Sequence, residues 1–332
     1  MINRVLFYNS GGGIGDAIQI LPLVNTLKKE FKGANLFYLC AHDNHFNSSL
    51  KNFNCSIETL NLNIKYFGFS WWHLMIVKQR IIKLDVKKFD LIIDLQSKIR
   101  NTLILKMIPH KYFVSPSFNF KLSNPTLSIK KSHSINDDIL VAINTTLNTN
   151  YKLTEYDTKK IETKFLVEAE KLLPNNNYVG FSITQGNVYR KKEWPINYIV
   201  DLCKKLKLKN KTPVFFIEKK NKELKNKISQ LIPDSLFPEH ETSLSSPALV
   251  TCLGKRLDFA VSIDNGIMHM LSLSKIPMIV LFGPTSSEKF APNYNNLIVL
   301  DSKKLYNTKD VSSISVQDVL LASKQLLNFN NH

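Results

Sequence analysis

No run of 18 or more apolar residues occurs in this chain of 332 residues, which leaves no segment long enough to cross a bilayer as a helix. Cysteine is scarce. Cys40, Cys55, Cys203 and Cys252 form no Cys-x-x-Cys pair and show no spacing to histidine of the kind zinc sites use. Four such thiols suit a reducing compartment, where they act as small core fillers. The first residues lack a charged-then-apolar leader pattern and read at once as a strand, so a cytoplasmic protein is expected. No zinc-finger, RRM, KH or helix-turn-helix signature is present, which argues against nucleic acid as a partner. Acidic residues are few, 27 against 44 lysines and arginines, and the formal charge is +17. Part of that excess follows the chain's general richness in Lys and Asn. The remainder implies an anionic partner such as a nucleotide-sugar or a phosphorylated lipid.

The chain has 44% hydrophobic and 10% aromatic residues, the composition of a globular protein with room for two cores. Residues 2–8 read as a strand and 16–31 as a helix, with Ile18, Leu21, Val24 and Leu27 on one face. Strands follow at 36–40 and 89–95, the stretch 110–135 reads as irregular connection, and 135–148 as a helix. The pattern loosens over 150–178 and breaks at Pro174-Asn175-Asn176-Asn177, where the interdomain connection is expected. A second series begins at Tyr178, with strands 178–183, 213–217, 258–263 and 277–282 separated by helical runs. The apolar runs lack strict alternation, as parallel strands buried on both faces do. The reading is α/β, with two Rossmann-like doubly wound domains. The expected divisions are 1–160, 161–312, and a terminal helix in 313–332 that is free to pack back on the N-terminal domain.

Two strand-to-helix turns carry the chemistry. The first is Asn9-Ser10-Gly11-Gly12-Gly13-Ile14-Gly15-Asp16. It is not a dinucleotide fingerprint: counted from Gly11, the third glycine position is Asp16, and the second strand ends in Leu39-Cys40-Ala41-His42 without the acid that would hold a ribose. No Gly-Lys-Ser/Thr follows, which excludes a Walker loop. What remains is a permissive glycine turn with a carboxylate at a helix start, either a helix-terminus acid or a general base. The second turn is Ser262-Ile263-Asp264-Asn265-Gly266-Ile267-Met268-His269, followed by Phe282-Gly283-Pro284-Thr285. A helix that starts there aims backbone N–H groups at one spot, which suits a phosphate.

Taken together, the motifs resemble glycosyltransferase family 9, the heptosyltransferases of lipopolysaccharide core assembly. The family's Gly-Asp turn with a following Pro is similar to Gly15-Asp16 and Pro22. Its Lys-x-Trp-Pro signature matches Lys192-Glu193-Trp194-Pro195, its Asp-Thr/Ser-Gly-x-x-His turn matches Asp264 to His269, and its Phe-Gly-Pro-Thr matches Phe282 to Thr285. The resemblance implies a GT-B architecture, with the two domains facing a central cleft. It implies an inverting transferase that needs no metal or other cofactor and takes its sugar from a nucleotide-sugar donor, ADP-heptose, to an anionic lipid-linked glycan acceptor. Asp16 would be the catalytic base. Lys192 would neutralise the donor diphosphate, Glu223 would hold the ribose with Glu218 as the competing candidate, and Asp264 would bind sugar hydroxyls. Asn265, Gly266, His269 and Thr285 complete the expected donor side. Asn265 departs from the small hydroxyl residue usual there, though its amide can still donate. Gly12, Gly13, Lys98 and Arg100 are the expected acceptor side.

Residues 67–88 join Phe67, Phe69, Trp71 and Trp72 to Lys78, Arg80, Lys83, Lys87 and Lys88. Such a mixture suits a peripheral contact with the inner membrane, or else a helix packed into its domain with its lysines in water. Two other functions stay open. One is a nucleotide-sugar epimerase or hydrolase, which would need further acid/base residues such as His42, His45 or His73. The other is a non-catalytic nucleotide-sugar-binding scaffold.

Overall fold

A computed structural model describes every residue except 11–12, 41–42, 65–69, 131, 133, 186–190 and 330–332, and the side chains of all but these and 327–329. The chain divides into two compact units, Met1–Asp157 and Thr158–His332. The boundary falls three residues before the expected 160/161 division.

The first unit runs β1 (Arg4–Asn9), α1 (Ile14–Gln19), α2 (Leu21–Glu30), β2 (Asn35–Cys40), β3 (Glu58–Thr59), α3 (His73–Lys83), β4 (Phe89–Asp94), α4 (Ile99–Leu105), β5 (His110–Val114) and α5 (Ile135–Leu147). Its five strands lie in the order β3-β2-β1-β4-β5, and their pairings are parallel. The second unit runs α6 (Thr163–Leu172), β6 (Tyr178–Ser182), α7 (Ile196–Lys207), β7 (Thr212–Phe215), α8 (Lys222–Leu231), α9 (Pro247–Gly254), β8 (Leu257–Ile263), α10 (Gly266–Ser272), β9 (Met278–Phe282), α11 (Ser287–Phe290), β10 (Leu297–Asp301), α12 (Ser302–Tyr306) and α13 (Val316–Phe329). Its sheet, also parallel, is ordered β10-β9-β8-β6-β7. Each sheet is doubly wound. Its order reverses between β1 and β4 in the first unit and between β6 and β8 in the second, and the carboxyl ends of those strands are where an open α/β sheet offers a ligand crevice.

The apolar runs behave as their composition dictates. β6 and β9 are buried along their whole length. Four expectations change. The single helix over 16–31 is two, because Pro22 lacks an N–H and opens α2 after a break at Ile20. The stretch 110–135 contains β5, a short edge strand whose His, Lys and Tyr masked its character. The loosened region 150–178 contains α6, which buries Phe165 and Ala169. The terminal helix lies in the second unit's own core, where Val319, Ala322 and Leu326 join Ile199, Leu202 and Ile279.

Trp194 fixes that arrangement. It is buried, and its indole N–H donates to the Ile314 carbonyl at 2.8 Å, which ties the start of α7 to the approach to α13. Pro195 directly precedes α7. Gly283 is required by close approach: a Cβ there would lie 2.9 Å from the Lys309 carbonyl oxygen and 3.1 Å from Val311. Cys55, Cys203 and Cys252 are buried free thiols, and Cys40 is half-buried at the end of β2.

Candidate active site

In the second unit the carboxyl ends of β6 and β8 bring distant residues into one cluster. Lys192 Nζ donates to Asp264 Oδ2 at 2.6 Å and to the Asp264 carbonyl at 3.0 Å. The pair is largely shielded, with side-chain exposures of 14% and 9%. Lys192 is held from behind as well, since its backbone N–H donates to Gln185 Oε1 at 2.8 Å. His269, buried in α10, faces the same pair. Burial pushes its imidazole down to about 4, while Asp264 pulls it up and Lys192 pushes it further down. It is therefore neutral at physiological pH and can offer one N–H donor and one acceptor.

Asn265 is the cap of α10. Its Oδ1 accepts from Met268 N at 2.9 Å, and its Nδ2 donates to Ser182 Oγ at 2.7 Å and to the Thr184 carbonyl at 2.8 Å. The side-chain amide expected to reach a ligand is thus occupied in tying β8 to the end of β6. Gly266 opens the helix. Thr285 is buried in the turn after β9, where Lys303 Nζ donates to the carbonyls of Pro284 and Thr285, both at 3.0 Å. The Thr285 hydroxyl has no partner among the described residues.

Glu223 is exposed in the first turn of α8, a helix capped by Asn221. It shares no hydrogen bond with the Lys192 cluster among the described residues. Glu218 is likewise exposed and pairs with Lys220 at 2.6 Å. The buried acid at this edge is one that the sequence reading missed. Leu236 runs parallel beside Val214 of β7, and the chain then turns at Pro238–His240, burying Glu239. Ser245 Oγ donates to Glu239 Oε1 at 3.3 Å, and burial, with Glu218 nearby, pushes this carboxyl up to about 7. No sequence signal marks it, because Pro-Glu-His-Glu reads as an ordinary polar turn.

In the first unit Asp16 lies in the first turn of α1, half-buried, with its N–H donating to the Gly13 carbonyl at 3.1 Å. A Cβ on Gly13 would come within 3.3 Å of Asp16 Oδ2. Gly12 lies outside the described residues. Across the β1/β4 switch, Gln96 Nε2 donates to Asn9 Oδ1 at 2.8 Å and locks the two strand ends together. Lys98 is exposed just before α4. Arg100 is half-buried, and its charge is felt by Tyr8 and by His73.

Beneath these loops lies a second residue that the sequence did not single out. Asp94 ends β4, fully buried, and its Oδ2 accepts from Thr102 Oγ1 at 2.7 Å and Ser115 Oγ at 2.8 Å. Its Oδ1 accepts from Gln96 N at 2.9 Å. Burial pushes its carboxyl from 3.8 up to about 7, against the pull of those hydrogen bonds. Because the folded carboxyl holds its proton to a higher pH than the unfolded one, its contribution is most favourable below about pH 4. It is lost as pH rises toward about 7 and stays constant above that. Asp94→Asn keeps the shape and removes the ionisation. The stability of wild type relative to this variant is expected to fall by about 3 kcal/mol between pH 5 and 8. Urea unfolding of the first unit at the two pH values measures it, and a pH-independent difference would mean that Asp94 is ionised in the fold.

The model of glycosyltransferase family 9 (heptosyltransferase) matches residues 79–319. The chain belongs to this family. It is a glycosyltransferase of heptosyltransferase type. Among curated proteins it is 23% identical over 346 residues to lipopolysaccharide heptosyltransferase 1 of Campylobacter coli, covering 94% of this chain and 96% of that protein. Among solved structures it resembles a family 9 glycosyltransferase of Veillonella parvula, with a TM-score of 0.70, 17% identity, and coverage of 98% and 97% of the two chains. It also resembles the E. coli heptosyltransferase WaaC with ADP, with a TM-score of 0.68, 16% identity, and coverage of 97% and 99%. The fold is thus that of the GT-B heptosyltransferases, two parallel-sheet α/β domains. Among the described residues no helix is long and apolar enough to cross a membrane.

Proposed function

We propose that this family 9 glycosyltransferase transfers heptose from ADP-heptose to an anionic, lipid-linked glycan of the lipopolysaccharide core, with inversion and without a metal, in the cytoplasm. The observation that carries this reading is the shielded Lys192–Asp264 pair at the β6/β8 switch, with neutral His269 beside it. A departing nucleoside diphosphate gains negative charge in the transition state. A lysine held at a fixed place stabilises that charge with little reorganisation, and does so more strongly when shielded from water. The Asp264 carboxylate is suited to accept hydrogen bonds from sugar hydroxyls, and His269 to supply one further neutral contact. The backbone N–H groups from Asn265 to Ile267, together with the Thr285 hydroxyl, complete the donor contacts.

On the acceptor side Asp16 takes the proton of the attacking hydroxyl. The new bond forms at the anomeric carbon as its bond to the diphosphate oxygen breaks on the opposite face, so the configuration inverts. Glu223 as the ribose contact stays part of the reading, and a bound donor would have to draw it in from the surface. The expected location of the acceptor is near Gly12, Gly13, Lys98 and Arg100, where the two basic side chains would meet its acidic groups.

Calorimetric titration with ADP, UDP, GDP and ADP-heptose, in buffer containing EDTA, tests the donor. Binding selective for ADP and ADP-heptose is expected, undiminished by the chelator. Preference for UDP or GDP would replace the donor, and binding that needs added Mg²⁺ or Mn²⁺ would overturn the metal-free reading.

A further inference from the structure

The chain beyond β5 departs from the rules of an ordinary turn. β5 runs parallel to β4, and β4 to β1, so the carboxyl end of β5 lies on the same edge of the sheet as the turn that carries Asp16. Past Val114 the chain doubles back. It returns antiparallel at Asn124, which exchanges backbone hydrogen bonds with Phe113 at 2.9 and 2.7 Å. The residues between them therefore project beyond the carboxyl edge. Their base is fixed. Ser115 N donates to Ser123 Oγ at 3.1 Å, Ser117 Oγ lies 2.6 Å from Thr102 Oγ1, and Lys106 Nζ donates to the Leu122 carbonyl at 2.9 Å. Phe120 is fully buried, and its carbonyl accepts from Ser123 N at 3.0 Å and Leu127 N at 3.3 Å.

On this base stands a strained tip. Phe118, Asn119 and Phe120 follow one another with φ of +51°, +52° and +65°. Left-handed backbone is ordinary for glycine and tolerable for a single asparagine. In a run of three residues with side chains, two of them phenylalanine, every position carries a steric cost. Asparagine commonly offsets that cost by hydrogen-bonding nearby, yet Asn119 Oδ1 is buried without a partner among the described residues. Burial of the Phe120 ring offsets its own share. Phe118 has no such return, because it is 61% exposed. One residue thus combines an unfavourable backbone with an apolar ring turned to water. Neither feature helps the fold, and strain of this kind persists where a ligand makes use of it.

We propose that Phe118 is a stacking platform for a sugar ring of the acceptor glycan. The assignment rests on the proposed transfer to a glycan and names how one of its sugars is held. One face of a pyranose presents C–H groups of slight positive charge, which pack on the negative face of an aromatic ring. A ring carried on a pinned turn loses little further freedom on binding. β5 lies two strands from β1, a lateral offset of about 10 Å at the usual strand spacing, which suits a sugar other than the one that reacts. Lys121, three residues on, is exposed and can meet an acidic group of the same acceptor.

The test is calorimetric titration of the full chain with the deacylated, water-soluble oligosaccharide of a lipopolysaccharide that lacks heptose, which reads binding without turnover. Phe118→Ala is expected to weaken binding about tenfold, and Phe118→Leu to weaken it similarly. Phe118→Tyr keeps the aromatic face and is expected to bind within about twofold of wild type. ADP affinity is expected to be unchanged in all three. Phe118→Gly relieves the left-handed backbone, so its Tm should equal or exceed that of wild type while oligosaccharide binding falls. Wild-type affinity in Phe118→Leu would overturn the proposal, and so would a Tm lowered by Phe118→Gly, which would make the ring a packing residue. An effect confined to intact, lipid-bearing lipopolysaccharide would overturn it in favour of a lipid contact. A wild type that binds ADP-heptose but not the oligosaccharide would overturn it and leave the donor reading standing. Phe118-dependent oligosaccharide binding without ADP-heptose binding would support it and fault the donor reading alone.

Discussion

Asp16→Asn is expected to lower kcat by about 10²–10⁴ while leaving the affinity for ADP-heptose within about twofold of wild type. In the proposed reaction the carboxylate takes the proton from the attacking hydroxyl as the new bond forms, and the amide of Asn has almost the same shape but no comparable basicity. The local structure predicts a small effect on stability. Asp16 is half-buried in the first turn of a short helix, where an acid contributes about 0.3–1 kcal/mol through the helix dipole and Asn retains part of this. Steady-state kinetics, calorimetry with the donor and thermal unfolding together separate the two roles. A loss of donor affinity or a fall in Tm equal to the fall in activity would make Asp16 a structural residue. Unchanged turnover would remove it from the mechanism.

Lys192→Ala is expected to lower kcat/KM by about 10²–10³ and to weaken ADP binding, because the proposed reaction places this fixed charge against the leaving diphosphate. It carries a second effect. Asp264 is a shielded carboxylate whose cationic partner is Lys192, at 2.6 Å. Removing one member of such a pair leaves an uncompensated charge and destabilises the second unit by about 3 kcal/mol. The double variant Lys192→Ala/Asp264→Asn is expected to recover most of that stability and none of the ADP affinity. Urea unfolding and calorimetry on both variants give the comparison. If the double variant regains nucleotide binding, the single substitution acted through the fold, and Lys192 is not a donor contact.

The domain architecture was legible because its signals are local. Unbroken apolar runs such as Met278–Phe282 specify strands buried on both faces, and the turns at Gly13–Asp16 and Asp264–Gly266 mark where strands hand over to helices. Less was legible where an element lacked its usual periodicity. β5 carries His110, Lys111 and Tyr112 because it lies at a sheet edge, and α6 lies in a stretch whose polar flanks hid Phe165 and Ala169. Of the candidate site, the sequence singled out Lys192, Asp264 and His269, which the structure brings together, but not the partners that hold the residues around them. Asn265 looked like a ligand donor until its amide was found on Ser182 and Thr184, residues more than 80 positions away in the chain.

By itself, then, the sequence determined the strand–helix order, the parallel sheets, the turns that carry Asp16, Lys192 and Asp264, and the family. The elements and turns depend on the conformational preferences of neighbouring residues and on periodic burial, which the chain carries in its own order, whereas the family was read from the resemblance of its ordered motifs. Only the tertiary structure decided that Lys192 meets Asp264, that Asp94 and Glu239 are acids whose carboxyls burial pushes up to about 7, and that the adjacent helices α3 and α4 leave apolar side chains outward. The reason is physical. Ionisation, pairing and exposure are set by what other elements bring to within a few ångströms, and a sequence pattern records only the face that an element turns to its own core.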